Sequence, residues 1–227
     1  MSVSRVLGAA LLQVAIFGPL LFVPAWTLNW WRAWVFLGVV FVASIVSMVT
    51  VFPGNEGLLA ERMKPPIQRG QPLADKIILL AFIVTFLAAI VLIPLDVFRL
   101  HLTHAPGPPV SFAGLLLCIA GWWITSLALK ENAFAAPVVK DQRERGQRVV
   151  DTGVYRVVRH PMYAGGALLL VGIPLWLQSY AAALLMSVAV ALVAVRIPVE
   201  ERFLHRILPG YGAYAERVRY RLIPFLW

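Results

Sequence analysis

Uncharged runs long enough to cross a membrane alternate with short polar segments along this chain. Val6 to Trp31, Ala33 to Phe52, Ile77 to Leu95 and Val110 to Leu129 carry no charged residue, and each meets the ~20 residues needed to traverse the hydrocarbon core. The first run is too long for a signal-peptide core and reads as a retained span. The fifth run, Pro161 to Val195, is longer still. As one straight helix it would measure about 50 Å against a core of ~30 Å. Gly172-Ile173-Pro174 and Gln178-Ser179-Tyr180 interrupt it. The pattern therefore predicts a helical hairpin over 161–195 with its turn near Gln178 to Tyr180. Each arm is barely long enough to cross, which would leave the turn within the far interface. The expected fold is all-α, a polytopic transmembrane helical bundle. Residues 1–131 hold four spans, and residues 132–227 hold the hairpin between polar segments.

Charge agrees with this layout. Only 14% of residues are charged and 60% are hydrophobic, whereas a soluble domain is nearer a quarter charged. The net charge of +9 is spread over the segments between apolar runs, as suits anionic headgroups and topology rather than nucleic acid. Of the 20 Lys and Arg residues, only Arg32 and Arg99 fall on the side opposite the rest, so both termini are expected to be cytoplasmic. Trp26, Trp30, Trp31 and Trp34 are expected to mark an interface, as is Trp227. The single cysteine, Cys118, allows no intrachain disulfide and reads as a small core residue.

Three polar regions are large enough to carry chemistry. Pro53 to Lys76, which holds Glu56, Glu61 and Asp75, reads as a plain loop with a short interfacial helix around Leu58 to Met63, a covering role over a pocket being the alternative. Asn132 to Tyr163 contains a turn at Asp151-Thr152-Gly153-Val154-Tyr155 and a bend at Arg159-His160-Pro161. Pro161 removes a backbone donor. Backbone groups freed at membrane depth must find partners in protein, water or ligand. Gly165 and Gly166 allow a ligand or another helix to come close. The third region, Arg196-Ile-Pro-Val-Glu200-Glu201, puts ionisable groups at the edge of the hydrocarbon, where they suggest function. Plainer alternatives stand beside these readings. Arg159 could set topology, Arg196 and Glu200 could form an i,i+4 ion pair, and Pro198 could open a helix whose first turn holds both glutamates. His101 and His104 have usable metal spacing, but only Asp96 lies nearby as a third ligand, so no metal is expected.

Taken together, these clusters resemble the isoprenylcysteine carboxyl methyltransferase family, within the group that includes membrane phospholipid methyltransferases. The resemblance covers about Asn132 to Pro224. It rests on Gln142…Arg145-Gly146-Gln147-Arg148-Val149-Val150, Thr152-Gly153-Val154-Tyr155 and Arg159-His160-Pro161-Met162-Tyr163. After the hairpin it continues in Arg196…Glu200-Glu201…Leu204, Tyr211…Tyr214 and Ile223-Pro224. Where many relatives carry a histidine after the glycine, this chain has Gln147.

The resemblance implies an integral membrane enzyme that uses S-adenosyl-L-methionine to methylate a lipophilic acceptor entering from the bilayer, with a carboxylate as the expected target. Residues 132–227 would form the cofactor-binding and catalytic region. Carried over by motif, cofactor contacts would be Gln142, Gln147, Arg148, Val149, Val150, Tyr155, His160, Pro161, Met162, Tyr163, Glu200 and Glu201. Arg196 matches a position associated with the acceptor, and Arg196 and Glu200 are the expected catalytic pair. Competing readings are a phospholipid N-methyltransferase, an NADPH-dependent sterol-type reductase, and a non-enzymatic lipid-binding or transport protein.

Overall fold

The computed structural model describes residues 3–227, which form eight α-helices and no strand. Helices α1 (Val3–Ala25), α2 (Trp31–Thr50), α4 (Leu73–Leu95) and α5 (Pro108–Glu131) correspond to the four expected spans. Between α2 and α4 lies α3 (Glu56–Arg62), the short helix expected in that loop. A π-helical turn, Asp96–Leu100, continues α4. The hairpin consists of α6 (Pro161–Trp176) and α7 (Tyr180–Ile207), and a short α8 (Tyr211–Arg217) follows. Five helices (α1, α2, α4 with its π turn, α5 and α7) are long and apolar enough to cross a membrane, and α6 is a shorter apolar helix.

The hairpin turn falls where the sequence places it. Gln178 adopts a left-handed conformation, φ 71°. The Ser179 hydroxyl accepts from the N–H of Ala182, capping α7, and donates to Asp96 Oδ2 at 2.7 Å. The arms are unequal, however. At ~1.5 Å per residue α6 is about 24 Å long, whereas α7 has 28 residues and passes through Pro198 without ending. The alternative in which Pro198 opens a helix is therefore excluded. Proline removes one intrahelical donor, a defect that membrane helices tolerate when neighbouring groups hold the backbone. Here buried Arg196, Ile197 and Glu201 flank the proline and fix α7 on both sides of it.

The α5–α6 pair is the most extensive helix contact, and glycines make it possible. A Cβ on Gly121 would lie 2.5 Å from the carbonyl oxygen of Gly165, and one on Gly165 would lie 2.4 Å from Thr125 Oγ1. Gly114 and Gly172 meet in the same way further along. Small residues let two membrane helices approach backbone to backbone. Gly165 thus serves the helix contact, while Gly166 has open space on its Cα.

The main core gathers Leu21, Phe36, Ile90, Ile93, Trp176 and Met186 from α1, α2, α4, α6 and α7. Trp26, Trp31 and Trp34 are exposed, as an interfacial belt requires. Trp30 is not: it is buried against Phe22 and Phe98. At the opposite end, fully buried Leu58 seats α3 on Val51, Phe52, Leu129 and Ala135. The segment read as a plain loop is thus a packed wall of the polar end of the bundle.

Candidate active site

All the polar clusters converge at one end of the bundle, where α2 and α5 finish, α4 and α6 begin, and the last turns of α7 extend beyond the apolar core. Arg159 and His160 are held there by the C-terminal segment, since their N–H groups donate to the carbonyls of Tyr220 and Arg221 at 2.9 Å. The Arg159 guanidinium donates to three further carbonyls, of Ala215, Val218 and Arg219. Its Nε reaches Glu201 Oε1 at 2.6 Å, His160 Nε2 lies 3.2 Å from the same oxygen, and Arg221 Nε donates to Glu201 Oε2 at 2.9 Å. Two cations thus neutralise one buried carboxylate.

Within the first turn of α6, the Tyr163 ring stacks on His160 (centroids 5.5 Å apart, planes 5° apart), and its hydroxyl donates to Glu200 Oε2. The apolar hairpin therefore joins the histidine–proline bend to both glutamates.

These groups form one wall of a cleft open to the surface. Gln142, Gln147, Arg148, Val149, Val150, Tyr155, His160, Met162, Tyr163 and Glu200 all line it. Three expected residues do not. Pro161 is fully buried as the first residue of α6. Glu201 has both oxygens engaged in the ion-pair network. Arg196 lies beyond Tyr163, with its guanidinium 5.6 Å from that ring's centroid.

The opposite wall is the irregular stretch after α5. Gln142 is buried and braced: its amide donates to the carbonyl of Phe134 at 2.8 Å, its N–H donates to Gln147 Oε1 at 3.0 Å, and Arg145 donates to its side-chain oxygen. Gly146 takes the left-handed conformation (φ 71°) that turns the chain between the two glutamines. Asn132, at the end of α5, donates to the Tyr155 hydroxyl at 3.2 Å, and Tyr214 donates to the Tyr155 carbonyl at 2.9 Å. Burial pushes the Tyr155 and Tyr211 phenols above their usual range, and Glu200 and Glu201 add to the effect at Tyr211. Both are neutral donors at any working pH.

Two features suit this cleft to a nucleoside-bearing amino acid. Among the described residues, the backbone N–H groups of Arg148, Val149 and Val150 donate to no protein acceptor, although the segment lines the cleft. The buried hydroxyl of Tyr211, also on the lining, has no partner. That hydroxyl is buried, where polar groups are almost always satisfied, and a ligand rich in donors and acceptors would fit it together with the free N–H groups. Glu200 has capacity to accept more than the single bond from Tyr163. The residues present thus fit S-adenosylmethionine, with Tyr211 and Asn132 as members the motif roles did not include.

Met162 and Tyr163 also line a second, partly open cavity of about 570 Å³, bounded by α1, α2, α4, α5, α6 and α7. Its walls are mostly apolar, among them Phe36, Phe82, Leu115, Leu170 and Val193, and Gly166 lies on it. Its polar end presents Arg62 and Arg196. Arg196 donates from Nε to Asp75 Oδ1 at 2.6 Å and from Nη2 to the Pro137 carbonyl at 2.7 Å. It pairs with Asp75, not with Glu200 four residues on, so the i,i+4 pair is absent. Asp75 is fully buried and also accepts from Gln71 at 2.6 Å and from the N–H of Val139 at 3.1 Å. Glu61 of α3 pairs with Lys64 at 2.6 Å and with Lys140 on the cleft wall. Sequence reasoning gave Arg62, Asp75 and Glu61 no place in the site because each acts through a long-range contact that no local spacing announces.

Residues 110–210 match the family model for phospholipid methyltransferase. The chain is 33% identical over 113 residues to protein-S-isoprenylcysteine O-methyltransferase B of Arabidopsis thaliana, a match covering 48% of this chain and 57% of that protein. It is 34% identical over 124 residues to a probable protein-S-isoprenylcysteine O-methyltransferase of Oryza sativa subsp. japonica, covering 52% and 62%. It is 35% identical over 112 residues to the A form of the Arabidopsis enzyme, covering 48% and 57%. The matches span less than two thirds of each relative's length. They support the family read from the motifs, and the five apolar spans agree with a multi-pass membrane protein.

Proposed function

We propose that this chain, whose residues 110–210 match the phospholipid methyltransferase family model, transfers a methyl group from S-adenosylmethionine to a lipophilic carboxylate of the isoprenylcysteine type. The observation that carries this reading is the meeting of two unlike cavities at Met162 and Tyr163. One is polar and suits a nucleoside. The other is apolar, lies between the spans, and suits a long hydrocarbon chain.

When bound, S-adenosylmethionine supplies a methyl group on a positively charged sulfur, and the methyl passes to an acceptor oxygen as the S–C bond breaks and a neutral thioether leaves. A carboxylate acceptor is already ionised at neutral pH, so the chain need supply no base. Its task is alignment, which can contribute about 7–11 kcal/mol. In this reading Glu200 accepts from ribose hydroxyls or the amino group, its carboxylate fixed by Tyr163. The free N–H groups at Arg148 to Val150 hold the carboxylate or purine edge. His160 and Tyr155 shape the walls, with the Glu201 network keeping the His160 ring in place. The cationic end of the apolar cavity favours an anionic acceptor over an ammonium, which argues for carboxylate rather than amine methylation. Eighteen of the 20 basic residues belong to the end of the bundle that carries the cleft, or flank it in sequence. By the positive-inside rule that end, with both termini, faces the cytoplasm.

Calorimetry with S-adenosylhomocysteine tests the proposal. Wild type should bind it, and Glu200→Gln and His160→Ala should bind more weakly. Undiminished affinity in both variants would discredit the site. Tight binding of NADPH with none of S-adenosylhomocysteine would instead favour a reductase.

A further inference from the structure

Two arginines face the polar end of the apolar cavity, and they differ in one respect. Arg196 is neutralised by Asp75. Arg62 forms no ion pair among the described residues; it donates from Nη1 to the Ala135 carbonyl at 3.1 Å and approaches Met162 Sδ at 3.6 Å. Its neighbour Glu61, the nearest carboxylate in sequence, is taken up by Lys64 and Lys140. A guanidinium in this position stays charged, although burial pulls its pKa below the usual value. Arg62 is half-buried, and a partly desolvated cation without a counter-charge carries a cost that an anionic ligand would relieve. The contact with Met162 puts it beside the residue common to both cavities.

We propose that Arg62, reaching in from α3, binds the carboxylate of the methyl acceptor, while Arg196 acts as a positioning residue locked to Asp75. This inference rests on the acceptor reading given above. The planar fork of Arg62 retains free N–H donors, and a carboxylate engaged by two of them meets a fixed geometry. The lipid chain then lies in the apolar cavity, and the oxygen to be methylated faces Met162 and Tyr163. The assignment explains why the segment between the second and third spans is seated on Leu58 and clasped by Glu61 rather than left as a surface loop.

The test compares two probes in the presence of S-adenosylhomocysteine: an N-acylated S-prenylcysteine and its uncharged carboxamide. Arg62→Gln should weaken binding of the carboxylate about thirtyfold, the low end for losing one partner of a buried charge pair. Carboxamide and S-adenosylhomocysteine affinities should change by less than about threefold. Arg62→Lys, which keeps the charge but not the fork, should fall between and covers the case in which Arg62→Gln does not fold. Equal loss for carboxylate and carboxamide, or no loss for either, overturns the assignment. If wild type binds S-adenosylhomocysteine but neither prenylcysteine, the acceptor reading itself fails. If wild type methylates the prenylcysteine and the Arg62 variants do so with unchanged affinity, only the role of Arg62 fails.

Discussion

Arg196 Nε donates to Asp75 Oδ1 at 2.6 Å, although the two residues are 121 positions apart in the chain. The contact joins the start of α4 to the end of the membrane part of α7 and fixes the cation beside Tyr163. Removing one member of a buried pair strands the other charge, at a cost of about 3–5 kcal/mol. Asp75→Ala should therefore destabilise the protein by about that much in denaturant unfolding from detergent micelles. Combining Asp75→Ala with Arg196→Met should cost clearly less than the sum of the single changes, because no uncompensated charge remains. Strict additivity would mean that the two side chains are energetically independent.

That pair also marks the boundary of what the sequence reveals. The hairpin was legible because an uncharged run too long for one span has few physical solutions, and Gln178 and Ser179 punctuate it. The cleft residues were legible because the motif residues sit on short turns next to α6 and α7, so chain order nearly determines their neighbours. Asp75, Glu61 and Arg62 were not, since they lie in a Pro- and Gly-rich stretch without periodicity, and only tertiary packing of Leu58 tells which way it folds. Pro198 left two readings open for a related reason. Its local preference for a helix start is weak beside the burial of Ile197 and the fixing of Arg196 and Glu201.

The unpartnered hydroxyl of Tyr211 separates stability from binding. In Tyr211→Phe the ring remains to pack against Tyr214 and His205, while the unsatisfied buried oxygen is gone. Thermal unfolding of the ligand-free protein should be unchanged or slightly higher. If the proposed cofactor satisfies this group, S-adenosylhomocysteine affinity should fall by about two- to tenfold, the worth of one neutral hydrogen bond of ~0.5–1.5 kcal/mol. A variant that loses stability but keeps its affinity would assign the hydroxyl a structural role.

Glu61 gives a pH dependence whose sign can be worked out. Burial alone would raise its pKa, but the hydrogen bonds and charges of Lys140 and Lys64 outweigh this and hold it below the ordinary carboxylate range. A depressed folded-state pKa means that the clasp of α3 on the cleft wall contributes fully above the unfolded value of ~4.3 and is lost as pH falls through the folded one. The melting-temperature gap between wild type and Glu61→Gln should thus be constant from about pH 6 to pH 8. It should close only in acid below the usual carboxylate range. A gap that widens on acidification would contradict the ion pairing.

Adjacent glycines in α6 should respond in opposite ways. Gly165 faces α5, where a Cβ would come within 2.4 Å of Thr125 Oγ1 and 2.5 Å of the Gly121 carbonyl oxygen. Gly165→Ala must push the helices apart and should cost about 1–3 kcal/mol, as overpacking does. Gly166 lines the apolar cavity and a Cβ there meets nothing within 4 Å. Gly166→Leu should leave the fold intact, since replacing a mid-helix glycine is favourable by up to ~1 kcal/mol. S-adenosylhomocysteine binding should be preserved as well. The new side chain would occupy space assigned to the acceptor's hydrocarbon chain, weakening prenylcysteine binding about tenfold or more, as a clash of ~1–3 kcal/mol requires. An acceptor with a shorter chain should lose less. If long and short acceptors bind Gly166→Leu as they bind wild type, the hydrocarbon chain does not lie in this cavity.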